Sequence, residues 1–192
     1  EELQFDFVVV EGLLLVAMVL AYQPLRQRVR EGLSYLVGGD VVDARDATRQ
    51  LSVELSRRAT EDVKDITEWF THGIRDALRL RTSWLMLEHP FAQMVSATNV
   101  QDETGYSNDE IAKVAGVLAA TDFDRWVDSS RCTDRRQLQM LRDVDLIAAF
   151  RIDYRDIRGL LLLGTPVSGD RLQDEQLNAT VRLVDQFAAT IH

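Results

Sequence analysis

Apolar positions change their spacing several times along this chain, and each change marks an element. The densest apolar stretch comes first. Residues 5–22, FDFVVVEGLLLVAMVLAY, carry two charges, Asp6 and Glu11. A bilayer-spanning helix needs about 20 mainly apolar residues, and an acid near its centre costs about 2.5–3.5 kcal/mol. Asp6 lies at the end of the run, where it reaches the interface, and the apolar segment 12–22 offsets Glu11. Pro24 interrupts the run, and Arg26, Arg28 and Arg30 follow, the basic flank expected at the cytoplasmic end of a span. A cleaved signal peptide fits less well, because there the basic residues precede the apolar run. The pattern predicts a membrane helix, with a buried or partner-packed helix as its alternative.

Helical spacing then takes over. Leu25, Val29, Leu33 and Leu36 form one amphipathic stripe, which could lie along headgroups or pack on the next helix. Gly38-Gly39-Asp40 is expected to end that helix in a turn. Residues 43–58 repeat the spacing through Ala47, Leu51 and Leu55. Thr60 is the expected N-cap of the following helix, residues 61–78, whose Val63, Ile66, Phe70, Ile74 and Leu78 make a core-facing stripe. His72 falls off that stripe and reads as a surface residue.

From residue 81 the period shortens. Residues 81–87, RTSWLML, read as a buried strand stopped by His89-Pro90, and residues 91–97 as a weaker second strand. Residues 101–108 are a polar loop. Asn108 is the expected cap of a helix over 109–120, with Ile111, Val114, Ala115 and Leu118 inward. Leu138 and Leu141 suggest a short helix or an extended edge. Residues 145–152 read as a strand, 153–158 as a turn, and 159–164, GLLLLG, as a strand buried on both faces. After a loop at 165–173, a terminal helix over 174–191 starts with Asp174 and Glu175 at its positive end and buries Leu177, Val181, Val184, Phe187, Ala188 and Ile191.

Composition narrows the chemistry. The 192 residues are 46% hydrophobic and 28% charged with only 3 Pro, as in a folded domain plus an appendage. The chain begins with Glu1 instead of Met, which reads as processing or as a piece of a longer protein. A net charge of −9 disfavours nucleic acid, whose phosphates an acidic surface repels. The single Cys132 forms no internal disulfide and fits a reducing compartment. His72, His89 and His192 are too scattered to hold a metal with it. No P-loop or nucleophile elbow occurs. The pairs Asp122/Asp124 and Asp143/Asp145 read as solvated loop acids. The expectation is therefore no catalytic residue, no metal and no cofactor in this segment.

Two stretches resemble a GAF domain. Residues 146–191, LIAAFRIDYRDIRGLLLLGTPVSGDRLQDEQLNATVRLVDQFAATI, are similar to that family's closing strand, turn, Gly-led apolar strand, acidic helix start and long terminal helix. Residues 61–90 resemble its opening helix and first strand. Residues 91–142, where the family carries its pocket lid, match poorly. The implied fold is α+β: a GAF-like antiparallel central sheet flanked by helices, preceded by an N-terminal transmembrane or apolar helix and linker helices. The layout, with Tyr22-Gln23-Pro24-Leu25-Arg26 after the span, is also similar to membrane sensor histidine kinases of two-component systems, the kinase core lying beyond this segment. That implies a last transmembrane helix at 1–23, amphipathic linker helices at 24–59 and a GAF-like sensor domain at 60–192. It further implies an inner-membrane location with the domain in the cytoplasm, and a homodimer formed through the terminal helices.

Trp84, Met94, Trp126 and Phe150 are the candidates for lining a small-molecule pocket, with ordinary core packing as the alternative for each. Cys132, near Arg131, Arg135 and Arg136, reads as an inert thiol, with a redox-active or chromophore-carrying role as its alternative. Against the histidine-kinase reading stand a dimerisation or interaction module without a ligand, and the sensor domain of a nucleotide cyclase or transcription regulator.

Overall fold

The structure, a computed structural model, describes residues 39–98, 106–121, 123–129, 132 and 134–192. The expected span at 5–22 and the amphipathic helix at 25–36 lie outside them. No helix among the described residues is long and apolar enough to cross a membrane.

Helix α1 (Gly39–Arg57) begins where a turn was expected, so Gly39 and Asp40 are helical. Helix α2 (Val63–Ala77) follows, capped by Asp62 and not Thr60: the Asp62 carboxylate accepts the Lys64 backbone N–H at 2.8 Å. A cap needs an acceptor next to the first free amides, and Asp62 lies closer to them. Strands β1 (Thr82–His89) and β2 (Gln93–Thr98) form a hairpin. Helix α3 (Asn108–Ala119) is capped by Ser107, not Asn108. Its hydroxyl accepts from the Glu110 amide, and the Glu110 carboxylate accepts from the Ser107 amide, a reciprocal capping box.

Strand β3 (Trp126–Asp128) was not legible, being three residues long and polar at its end. Helix α4 (Arg135–Asp143) occupies the segment containing Leu138 and Leu141. Strands β4 (Leu146–Tyr154) and β5 (Ile157–Gly164) form the second hairpin. The turn expected over 153–158 shrinks to Arg155 and Asp156, because cross-strand pairing continues to Tyr154–Ile157. Arg155 supplies the left-handed residue, with φ 54°. Helix α5 (Asp174–Thr190) closes the domain.

The strands make one antiparallel sheet of order β2-β1-β5-β4-β3. The expected antiparallel sheet flanked by helices is present, and β5 lies at its centre. The continuous leucine run follows from cover on both faces. Leu161 and Leu163 point into a core shared with α1, α2 and α5. Leu160 and Leu162 point into a second core under α3 and α4.

Residues 43–192 form one compact unit. The packed body therefore reaches back into α1, whose Leu51 and Leu55 are buried against α2 and α5. Gly73 lets α1 come close, since a Cβ there would strike the Leu51 side chain.

Candidate functional site

The helical face is tied together by polar as well as apolar contacts. Phe70 of α2 stacks on Phe187 of α5 at 4.4 Å between ring centroids. Ser52 Oγ donates to Gln186 Oε1 at 2.6 Å, and Gln186 Nε2 returns a bond to the Ser52 carbonyl at 2.7 Å and one to Ser56 Oγ at 2.8 Å. Arg45 faces Glu175 at 3.4 Å. These contacts match residue 45 to 175 and residues 52–56 to 186, so α1 and α5 run side by side in the same direction. A ladder of hydroxyls joins α2 to the sheet: buried Ser83 donates to the Thr71 carbonyl, Thr71 to Thr67, and Thr67 to Val63.

The opposite face of the sheet is filled by the protein's own side chains. Trp84, Ile111, Leu118, Leu141, Leu160 and Leu162 are all buried there. The four pocket candidates separate across the sheet. Trp84 and Met94 belong to this second core. Trp126 and Phe150 face the terminal helices, where they stack across the β3–β4 pair at 6.4 Å. They do not come together around one cavity. Side chains alternate along a strand, and the spacing within one strand does not tell which neighbouring strand shares its face.

What the structure does bring together is a charged cleft that sequence reasoning missed. It has a volume of about 120 Å³ and lies where the end of α3 meets β1, β4 and β5. Glu88, Arg151, Asp153 and Arg158 line it, with Gly159 and Ala119. The β1–β5 register shifts between Leu87 and His89, leaving Glu88 as the extra residue of a bulge. Beside the bulge the two backbones crowd, and a Cβ on Gly159 would collide with the Met86 carbonyl oxygen.

Arg151 is fixed from its far side. Its guanidinium donates to the Thr121 carbonyl at 2.7 Å and lies 4.5 Å above the Phe123 ring. Its amide donates to the Arg125 carbonyl, and Arg125 in turn reaches Asp185 of α5 at 2.8 and 2.9 Å. A chain of contacts thus leads from the cleft round the sheet edge to the last helix. The only signal for the cleft in sequence was charge at the alternate positions 151 and 153 and again at 158, which also suits a solvated strand edge.

Other singled-out residues are peripheral. His72 is exposed. Cys132 is half-buried, its thiol donating to the Asp134 carbonyl at 3.2 Å and Gln137 Oε1 at 3.3 Å. Among the described residues no three His, Cys, Asp or Glu side chains could share a metal. The Glu110 carboxyl is held below its ordinary value, first by the Ser107 amide and then by the Ser107 hydroxyl.

The sequence matches no protein-family model and no curated protein. Solved structures do match the fold. The phycoerythrobilin-bound GAF domain of a cyanobacterial phytochrome covers 78% of this chain and 94% of its own, at 17% identity and a TM-score of 0.50. The phycocyanobilin-bound GAF domain of a cyanobacterial phytochrome covers 78% and 93%, at 16% identity and a TM-score of 0.50. The fold is GAF-like. A GAF domain of a putative sensor histidine kinase from Pseudomonas syringae pv. tomato also matches, at 13% identity and a TM-score of 0.48, covering 78% of this chain and 88% of its own. At such identities the likeness concerns the GAF-like fold, and function must be argued from the site.

Proposed function

We propose that this GAF-like domain is a regulatory input module, which passes a signal through α1 and α5 to a downstream output domain. The observation that carries this reading is the Ser52–Gln186 clasp, which locks the incoming helix to the outgoing one. Helices packed in parallel transmit small axial shifts or rotations, and interfaces of this type switch between discrete packings. We further propose a sensor histidine kinase as the parent protein, dimeric through the terminal helices and anchored by residues 5–22. That finer reading rests on the layout of the apolar run, Pro24-Leu25-Arg26 and the linker helices.

The test joins residues 1–192, in helical register after α5, to the dimerisation and catalytic core of a reporter histidine kinase. Gln186→Ala should change autophosphorylation about fivefold or more. Output that ignores this substitution would overturn the regulatory reading.

A second reading is an interaction module without a ligand. It is favoured by the filled α3/α4 face of the sheet, where Trp84, Leu160 and Leu162 leave their own core closed. Under that reading the domain dimerises, and small molecules leave its amide spectrum unchanged.

A further inference from the structure

We propose that the cleft between the Glu88 bulge, the β4–β5 hairpin and the end of α3 binds a small zwitterionic α-amino acid. The proposal rests on the regulatory reading above for its purpose, and on the cleft alone for its chemistry.

Size sets the first limit. A volume of about 120 Å³ holds about four waters at about 30 Å³ each, well below the roughly 300–1,000 Å³ of sites for larger organic ligands. It suits a molecule of about the same number of heavy atoms, such as glycine or alanine. Charge sets the second. Glu88 and Asp153 bring two carboxylates, and Arg151 and Arg158 bring two guanidinium groups. Asp153 and Arg158 face each other in the β4–β5 register. None of the four is ion-paired with another described residue. A cleft whose own charges balance favours a ligand whose charges also balance. A lone carboxylate would meet the two acids, and a lone cation the two arginines.

The ligand carboxylate takes the planar donors of Arg158 and the free edge of Arg151. The ammonium takes Glu88 and Asp153, on the side where Ala119 places the negative C-terminal end of α3. Arg151 then couples occupancy to the rest of the domain, because the same guanidinium holds Thr121 and Phe123.

The test titrates the 192-residue protein with L-alanine and follows the backbone amides of Arg158 and Gly159 by NMR. Saturable shifts are expected, weakened about tenfold or more in Arg158→Ala and in Glu88→Gln. Both residues are exposed, so these variants should fold. Acetate and methylamine, each carrying half of the zwitterion, should bind at least about tenfold more weakly than alanine. L-tryptophan, whose side chain exceeds the cleft, should bind at least about tenfold more weakly than alanine. The proposal is overturned if no saturable shift appears, if either variant titrates like the wild type, or if acetate or tryptophan matches alanine. The kinase reporter separates the two ideas: a response to Gln186→Ala without alanine binding removes the cleft ligand and leaves the regulatory reading standing.

Discussion

Gly159 is the residue whose identity is most tightly dictated by its surroundings. It sits where the β1 bulge pushes the Met86 carbonyl towards β5, leaving no space for a methyl group. Gly159→Ala should destabilise the domain by about 1–3 kcal/mol, the usual cost of overpacking, read as a lower urea midpoint at unchanged slope. Ser107 and Glu110 make a different residue-scale case. Ser107→Ala should cost about 0.5–2 kcal/mol as a lost cap. The Glu110 carboxyl has a lowered pKa in the folded state, so its share of stability is present above its ordinary value of 4.5 and is lost as pH falls through the lower folded value. The stability gap between wild type and Glu110→Gln should therefore be open at pH 7 and close in strong acid, as measured by urea unfolding at both.

At the scale of elements, the three helices on one face act as a unit. Phe187 is fully buried against Phe70, and Phe187→Ala should cost about 3–5 kcal/mol. The clasp between α1 and α5 should behave as a coupled pair. A double-mutant cycle with Ser52→Ala and Gln186→Ala should give an interaction energy of about 0.5–3 kcal/mol, whereas additive effects would show that the two helices merely touch. The end of α5 has a further attachment: His192 lies edge-on to Tyr154 at 5.9 Å, with Arg155 at 3.2 Å. The tip of the β4–β5 hairpin thereby holds the segment that follows the last helix.

For the whole molecule, the path Arg151–Arg125–Asp185 links the charged cleft on one face to α5 on the other. The Arg125–Asp185 pair is solvent-exposed on both sides, so Arg125→Ala should lower stability by no more than about 1 kcal/mol. It should nevertheless uncouple the two faces: alanine would still shift the Gly159 amide, but the change in reporter autophosphorylation on adding alanine would be lost. An undiminished response in this variant would place the coupling elsewhere, most simply through the β5 core.

Much of the architecture could be read without coordinates, because local periodicity reports burial directly. The stripe from Ile66 to Ile74, the four leucines of β5 and the apolar face of α5 each announced an element whose neighbours had to cover it. Caps were misplaced by one or two positions, since Thr60, Asp62, Ser107 and Asn108 all carry suitable oxygens and only the local backbone chooses among them. The site was beyond local reading. Whether Trp84 and Phe150 share a face depends on how β1, β5 and β4 are ordered and registered, and that is decided by long-range pairing. The cleft forms where a one-residue bulge at Glu88, the β4–β5 pairing and the end of α3 bring residues 88, 119, 151 and 158 to one place. Sequence alone determined which segments must be buried and in what form. Only the tertiary structure decided which charges meet, because side chains far apart in the chain converge through sheet order and register, which local pattern does not encode.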